Sequence, residues 1–383
     1  MMRLFWYTPA ETRIRLRFFA QALLEEYDDD DFKKLLCSYM GVHSCVLGSS
    51  GRALMTLLLQ SLKAADIQGR DEVLIPAYTC YSVAASVARA GLKISVYDLD
   101  PRTLRPNMDS LNAAAGHRTL AIVFQHIFGI PQPVKDFEQT ATGYGITLIE
   151  DAAQGLGGFL NGRHLGTLGD YGIFSFGRGK PLPVGTGGAL TASDKIAGVA
   201  PPTCTSAGWD KLARSMAVQV LSHPLIYGVM ERLPLGLGKT IFDPGFAIAG
   251  MPEAIKRLAK ISFAGMHALN SHRRTIAAVY KSRLEGAGTI SEPEGSEPVY
   301  TRFPLLAGSR QLGLKLLRLG VRRMYPQPIT SEPVIRSYLS SPVPNTPGAR
   351  HIAENLVTLP THSRITPVLA HDICSLLEEE YSW

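Results

Sequence analysis

The sequence has few cysteines and no long uninterrupted apolar segment. Its five cysteines are scattered through 383 residues without a Cys-x-x-Cys pair, so we expect neither a metal site nor a disulfide framework. Scattered, unpaired cysteines are typical of a reducing compartment, which predicts a cytoplasmic location. Residues 1–20 lack the apolar core of a signal peptide. No segment is long enough to span a membrane.

The sequence also lacks an extended cluster of basic residues. The net charge is +6, but the basic residues are dispersed along the chain. A nucleic-acid-binding protein would need a basic stripe, so we expect no nucleic-acid partner. A mild positive charge suits an anionic small molecule or an anionic membrane surface equally well.

What the chain does contain is apolar material, at 45% of its residues, which is enough for one large and one smaller domain. Between residue 43 and about residue 192, short apolar runs alternate with helical patterns. The predicted strands are 43–47, 73–75, 94–97, 120–124, 147–149, 172–176 and 188–191, and the helices between them include 51–62, 80–90 and 134–142. Such alternation predicts an α/β fold with a mainly parallel sheet covered by helices on both faces.

The rest of the chain is less regular. Residues 20–40 and 253–285 are each predicted to be helical, the latter as one long helix. Residues 211–240 are strongly apolar but interrupted by Pro224, which predicts a buried helix or dimer contact, or alternatively a peripheral membrane contact. Residues after 298 predict a strand and two helices. We therefore expect a large domain at 1–245 and a small C-terminal α+β domain at 246–383.

Three features carry chemistry. The Gly-Ser-Ser-Gly turn at 48–51 joins a strand to a helix and offers free N–H groups to an anion, although such turns are common. Asp151 directly follows a predicted strand, at the sheet edge where ligands bind, but it could also cap a helix. Lys180 follows the next strand in a glycine-rich loop. An exposed lysine is the ordinary alternative there, whereas a catalytic lysine must be partly desolvated.

Taken together, these features match the needs of pyridoxal phosphate (PLP). The turn would hold the phosphate, and Asp151 would keep the pyridine nitrogen protonated. Lys180 would form the Schiff base with the cofactor aldehyde. None of the three features would identify the cofactor alone, but their combination and order predict it.

The sequence also resembles the DegT/StrS group of sugar aminotransferases, which have the fold-type I architecture of PLP-dependent transferases with a seven-stranded sheet. The matching motifs are Ser-Gly-Arg-Ala-Leu at 50–54, Asp-Glu-Val-Leu-Ile-Pro at 71–76, His-Ile-Phe-Gly at 126–129, Glu-Asp-Ala-Ala-Gln at 150–154, Phe-Ser-Phe at 174–176, Lys180 and Gly-Gly at 187–188. The resemblance is strongest from about residue 40 to 195 and looser beyond it.

The resemblance implies a role for each matching residue. Lys180 is the catalytic Schiff-base lysine and Asp151 the partner of the pyridine nitrogen. Gln154 lies near the phenolic oxygen of the ring. The phosphate is bound by Ser175 and by the backbone of Gly51 and Arg52.

Two positions depart from the family pattern. Arg52 stands where the family has threonine, and Cys80 stands where the family has an aromatic residue that stacks on the ring. Either Cys80 packs on the ring or the adjacent Tyr81 replaces the missing aromatic group. His126 is either a residue of the site or a buried, hydrogen-bonded histidine.

The resemblance implies transfer of an amino group from an amino acid, expected to be glutamate, to a nucleotide-linked keto sugar. Such reactions serve the biosynthesis of cell-surface polysaccharides or secondary metabolites. Family members are usually homodimers. The apolar 211–240 segment leaves a lipid-linked or apolar keto substrate as an alternative, and a non-catalytic PLP-bound regulator is another. Sugar dehydration is disfavoured because the relatives that perform it replace the lysine with histidine.

Overall fold

The computed structural model describes residues 5–11, 13–24, 28, 30–194, 196, 198–204, 206–231 and 241–381. Its strands are β1 (Ser44–Gly48), β2 (Glu72–Pro76), β3 (Lys93–Tyr97), β4 (Thr119–Gln125), β5 (Thr147–Asp151), β6 (Phe159–Leu160), β7 (Arg163–His164), β8 (Tyr171–Ser175), β9 (Gly188–Ala192), β10 (Ser296–Glu297), β11 (Phe303–Leu306) and β12 (Leu356–Leu359). Its α-helices are α1 (Leu16–Leu24), α2 (Asp31–Met40), α3 (Gly51–Ala65), α4 (Tyr81–Arg89), α5 (Met108–Ala114), α6 (Lys135–Tyr144), α7 (Trp209–Leu221), α8 (Pro224–Met230), α9 (Glu253–Phe263), α10 (Met266–Arg283), α11 (Leu314–Arg318), α12 (Pro347–Asn355) and α13 (Pro367–Glu380).

The central element is a seven-stranded sheet with the order β1-β9-β8-β5-β4-β2-β3. Neighbouring strands from β8 to β3 pair in parallel, and β9 runs antiparallel to both β8 and β1. Strands β2 and β4 are buried along their whole length, which explains their continuous apolar sequence. The predicted α/β fold with a mainly parallel sheet is confirmed.

Helices cover both faces of this sheet. Consecutive residues of β8 point in opposite directions, so that Ile173 joins the core beneath α3 while Phe174 joins the core formed with α1, α2 and α9. Helices α4, α5 and α6 pack against β2 to β5. The strand ends that carry the candidate site residues therefore project from a layer that is buried over most of its length.

Two helix predictions are corrected by the structure. The single long helix predicted at 253–285 is two helices, α9 and α10, separated at Ala264 and Gly265. The break lets α9 pack on α1 and α2 while α10 packs on α13, which one straight helix could not do. The helical region predicted at 20–40 is likewise two helices, α1 and α2, and residues 25–27 and 29 lie outside the described residues.

The C-terminal part contains the two-stranded antiparallel sheet of β11 and β12, with α10, α11 and α13 packed together beside it. It is tied to the large sheet, since the Ser340 N–H donates a hydrogen bond to the Ile94 oxygen at 2.8 Å. The domain boundary at 245/246 stays a prediction.

The apolar 211–240 segment forms most of α7 and all of α8, and Pro224 is the first residue of α8. Residues 232–240 lie outside the described part of the chain. Among the residues that the structure describes, no helix combines the length and the apolar character that crossing a membrane requires.

Candidate active site

A turn of serine and glycine joins β1 to α3 at one edge of the sheet. Ser50 caps the helix, because its Oγ accepts a hydrogen bond from the Ala53 N–H at 3.2 Å. The N–H groups of Gly51 and Arg52 stand in the first helical turn, where no preceding helical carbonyl is available to accept them. With the helix dipole, these donors form a site suited to a phosphate group.

Glycine is required where this turn meets β8 and β9. A Cβ on Gly51 would lie 2.9 Å from the Phe174 oxygen, and a Cβ on Gly188 would lie 2.5 Å from the Gly51 nitrogen. The Gly187 N–H also donates to the Ser49 oxygen at 2.9 Å. Side chains at Gly51 or Gly188 would therefore push the turn away from the strands that carry the rest of the site.

Asp151 is the last residue of β5, in the middle of the sheet. Its Oδ1 accepts a hydrogen bond from the Ala153 N–H at 3.1 Å, but residues 153–157 form turns, so Asp151 does not cap a helix. Burial raises the pKa of Asp151, and the positive charge of Lys180 offsets part of that increase. A protonated ring nitrogen would offset it further, since a nearby cation favours the carboxylate.

Lys180 lies in the loop between β8 and β9, and its main chain is held on both sides. The N–H of Gly179, which has a φ of +75°, donates to the main-chain oxygen of Glu11 at 2.8 Å. The Lys180 oxygen accepts a hydrogen bond from Nη2 of Arg273 at 3.2 Å. The half-buried Lys180 side chain faces the same cavity as Asp151.

One cavity of about 210 Å³ brings together most of the predicted site residues. Its lining includes Gly51, Arg52, Cys80, Asp151, Gln154, Ser175 and Lys180. Tyr81 is not among the residues that line it. The Tyr81 ring is buried at the start of α4, and its burial raises the pKa of Tyr81 to about 12. Whether Cys80 or Tyr81 contacts a bound ring stays a prediction. The position of Cys80 in the cavity lining favours Cys80 for this contact.

His126 satisfies both alternatives that its sequence position left open. It lines the cavity, and it is also buried and hydrogen-bonded, with Nε2 lying 2.6 Å from Oε1 of Glu150. Its Nδ1 accepts a hydrogen bond from the Gln132 N–H at 2.9 Å, which leaves the proton of a neutral ring on Nε2. Glu150 also accepts hydrogen bonds from the N–H groups of Gly166 and Leu168. This network holds the end of β5 rigid beside Asp151.

Two cavity residues, Arg52 and Gln154, each contact a residue from a later part of the chain. The Arg52 guanidinium lies 4.5 Å from the centre of the Phe246 ring, so its side chain stacks on that ring while its backbone N–H stays at the helix start. Gln154 accepts a hydrogen bond from Thr301 at 2.7 Å. Phe246 and Thr301 both come from beyond the strongly matching part of the sequence.

Among the cavity-lining residues that the sequence did not indicate are Gln125 and Tyr325. Gln125 ends β4, and its amide is oriented by the hydroxyl of Thr79 at 2.6 Å and the oxygen of Tyr78 at 2.7 Å. A signal for Gln125 existed, because it follows an apolar strand just as Asp151 does. Tyr325 is far from Lys180 in the sequence, and no motif around Tyr325 indicates that it belongs to the site. Its ring meets the Tyr78 ring edge-on at 5.6 Å.

A phosphate-type turn, a carboxylate and a lysine meet here at the edge of a sheet with the strand order described above. Fold and site together define the class of this protein, the PLP-dependent transferases of fold type I. Within that class, the chain belongs to the DegT/DnrJ/EryC1/StrS aminotransferase family, whose sequence profile matches residues 21–378. Aminotransferases of this family depend on PLP.

Several known proteins are similar to this chain. The pleiotropic regulatory protein of Geobacillus stearothermophilus is 29% identical over 311 residues, which cover 78% of this chain and 76% of that protein. The UDP-N-acetyl-3-dehydro-alpha-D-glucosamine 3-aminotransferase of Acidithiobacillus ferrooxidans is 26% identical over 347 residues, covering 83% and 85% of the two chains. The structure of DesI, solved in the presence of its TDP-sugar product, superposes with a TM-score of 0.74 at 22% identity, covering 98% and 93%.

Proposed function

We propose that this aminotransferase binds PLP through Lys180 and transfers an amino group from an amino acid to a nucleotide-linked keto sugar. The observation that carries the proposal is that Lys180, Asp151 and the Gly51 turn line one cavity. The turn supplies donors for a phosphate, Asp151 supplies a carboxylate for the ring nitrogen, and Lys180 supplies an amine for the aldehyde.

The shape of the site supports the same cofactor. The phosphate cradle is the turn at Gly51 and Arg52, and two glycines let it pack directly on β8 and β9. An added Cβ would lie 2.9 Å from the Phe174 oxygen at Gly51, or 2.5 Å from the Gly51 nitrogen at Gly188. Ser175 lines the cavity beside this cradle and offers a hydroxyl to the phosphate. Gln154, whose side-chain oxygen accepts a hydrogen bond from Thr301, would contact the oxygen substituent of the ring.

When bound, PLP supplies an electron sink for the carbon that loses its proton. The residues of the chain do the rest. Asp151 would keep the ring nitrogen protonated, because a carboxylate beside that nitrogen favours its charged form. Lys180 would hold the cofactor aldehyde, and its amine, when free, would carry a proton between the two reacting carbons.

We infer that glutamate is the donor and that the acceptor is a keto sugar of cell-surface polysaccharide or secondary-metabolite biosynthesis. The relative from Acidithiobacillus ferrooxidans, which is named for a UDP-linked keto sugar, supports a nucleotide-linked acceptor. The proposal also includes a homodimer, supported by the family resemblance, and a cytoplasmic location, supported by the scattered cysteines.

Two alternatives are each favoured by one observation. The exposed apolar side chains of α7 and α8 favour a lipid-linked or apolar keto substrate. The resemblance to a pleiotropic regulatory protein favours a non-catalytic, PLP-bound regulator.

The test is a pair of half-reactions on the PLP-loaded protein. Glutamate should convert the visible absorbance of the lysine-bound cofactor to the near-ultraviolet absorbance of the aminated form. A panel of UDP-, GDP- and TDP-linked keto sugars and lipid-linked keto sugars is then added to the aminated protein. Return of the visible band with a nucleotide sugar supports the proposal, and return only with a lipid-linked acceptor supports the first alternative. A protein that binds PLP but never exchanges it with any amino acid would be a regulator.

A further inference from the structure

A group of exposed apolar side chains lies on α7 and α8. We call it the apolar face, and its residues are Trp209, Met216, Val220, Leu221, Leu225, Ile226 and Val229. Each of these side chains is between 36% and 59% exposed. Scattered exposed apolar residues are normal in proteins, but a contiguous group on two adjacent helices is typical of a binding surface.

One exposed side of α7 is unusual for a surface helix. The helix buries Leu212 and Ser215 against the protein, and Trp209, Met216 and Val220, spaced by seven and four residues, share an exposed side next to Leu212. A surface helix ordinarily has polar residues where it is exposed to solvent. We therefore expect these apolar side chains to contact an apolar surface that is not part of this chain.

The adjoining helix α8 is firmly attached, so the apolar face is not a loose segment. The Trp6 N–H donates to the Pro224 oxygen at 3.0 Å. A Cβ on Gly228 would lie 2.6 Å from the Trp6 ring, which shows how closely the two pack. Leu225, Ile226 and Val229 are held outward on this anchored helix.

A cluster of cations lies beside the apolar face. A surface cavity of about 470 Å³ is lined by Arg178, Lys211 and Arg214 together with small and polar residues of α7 and of the Lys180 loop. None of the described residues that line it is acidic, although Lys211 pairs with the neighbouring Asp210 at 2.9 Å. The cavity is therefore suited to phosphate groups.

We propose that α7 and α8 dock this protein on an anionic lipid membrane. The apolar face enters the interfacial region, and Arg178, Lys211 and Arg214 contact lipid phosphates. Apolar side chains flanked by cations form the pattern of a helix that lies in the plane of such a membrane. A second copy of the chain fits this face less well, because a two-fold contact uses the same patch of both copies and would place both sets of cations in one interface.

The test is co-sedimentation of the full-length, PLP-loaded protein with two kinds of vesicle. One is pure phosphatidylcholine, and the other is equal parts phosphatidylcholine and phosphatidylglycerol. We expect binding to the anionic vesicles, weakened by added salt because screening reduces the attraction of the cations. Arg214→Gln should weaken this binding about fivefold, the effect of one cation near an anionic surface. The double variant Val220→Glu/Val229→Glu should abolish it.

The matched control is Ile67→Glu, which places the same charge at an exposed apolar residue remote in sequence from the apolar face and should bind as the wild type does. The PLP absorbance and the thermal midpoint of each variant report that its fold is retained. Equal binding to both vesicle types, or no binding to either, would overturn the proposal. Sedimentation velocity that shows a smaller assembly for the double variant would instead identify the face as a contact between copies. None of these outcomes depends on which acceptor the enzyme uses.

Discussion

The main-chain oxygen of Lys180 accepts a hydrogen bond from Arg273, whose side chain is completely buried. Burial lowers the pKa of Arg273 to about 10, and the charge of Glu11 acts in the opposite direction. Glu11 in turn accepts hydrogen bonds from the N–H of Gly179, through its main-chain oxygen, and from the N–H of Ser363, through its carboxylate. The N-terminal segment and α10 therefore form the support that positions the lysine loop.

Replacing Arg273 should destabilise the protein and loosen this loop. In Arg273→Met, the carboxylate of Glu11 keeps its buried position but loses a compensating cation, which costs about 3–5 kcal/mol of the free energy of unfolding. The double variant Glu11→Gln/Arg273→Met should lose less than the sum of the two single variants, because the negative charge that Arg273 compensates is removed as well. Urea unfolding of all four proteins measures both quantities.

The matched control for this cycle is the surface pair Arg283 and Glu378, which lie 3.0 Å apart with exposed fractions of 35% and 40%. Its coupling energy should stay below about 1 kcal/mol, as is usual for exposed pairs. A coupling between Glu11 and Arg273 that is no larger than this control would contradict the supporting role.

His362 should make the stability of the protein depend on pH in a defined window. Burial lowers the pKa of His362 from 6.5 to about 4, and its Nε2 donates to the Thr8 oxygen at 2.8 Å. The unfolded chain then binds more protons than the folded one between these two values. The free energy of unfolding should therefore fall as the pH decreases from about 6.5 to about 4, by at most about 1.4 kcal/mol per pH unit from this residue.

His362→Gln keeps a donor for Thr8 but does not titrate, so its unfolding free energy should decrease less steeply across the same window. Denaturant unfolding at a series of pH values measures the slope. The control is His351→Gln, at an exposed histidine, whose slope should match that of the wild type. Parallel slopes for the wild type and His362→Gln would show that His362 is not buried as a neutral ring.

Gly51→Ala should weaken cofactor binding more than it weakens the fold. The added Cβ meets the Phe174 oxygen at 2.9 Å, and backbone atoms have little freedom to move there. We expect the dissociation constant for PLP to rise at least about tenfold, the loss of one charge-assisted hydrogen bond to a phosphate. An absorbance titration measures it. Gly116→Ala is the control, since its Cβ would meet nothing within 4 Å. An equal rise of the dissociation constant in this control would contradict phosphate binding by the Gly51 turn.

Tyr325→Ala should also weaken PLP binding, because it removes an aromatic wall of the cavity. The expected loss is up to about tenfold, the value of one aromatic contact. Tyr81→Leu, which removes the aromatic ring, should leave the dissociation constant unchanged, since Tyr81 does not line the cavity. A large effect of Tyr81→Leu together with no effect of Cys80→Ala would show that Tyr81, and not Cys80, contacts the ring.

The large sheet and the centre of the site were predictable because both follow from local sequence. The apolar strand at 147–149 ends at Asp151, the strand before Ser175 is equally apolar, and the carboxyl ends of parallel strands meet at one edge. The cavity that joins Gly51, Asp151 and Lys180 follows from that rule alone.

The parts that were not predictable depend on contacts between distant segments. The pattern of α9 and α10 continues across Gly265, and only the separate packing partners of the two helices show the break. Tyr325 reaches the cavity because the oxygen of the preceding Met324 accepts a hydrogen bond from the Tyr78 hydroxyl at 2.8 Å. No local pattern around Glu11 or Arg273 indicates that both support the Lys180 loop.

The attachment of the cofactor to Lys180 is tested most directly by borohydride reduction of the PLP-loaded protein, followed by proteolysis and mass mapping of the peptides. Reduction makes the link between the lysine and the cofactor permanent. The proposed function predicts a single phosphopyridoxyl adduct, on Lys180, that is absent when Lys180→Ala is treated in the same way. An adduct on a different lysine, or the same yield of adduct from the variant, would contradict the assignment on which the proposed enzyme rests.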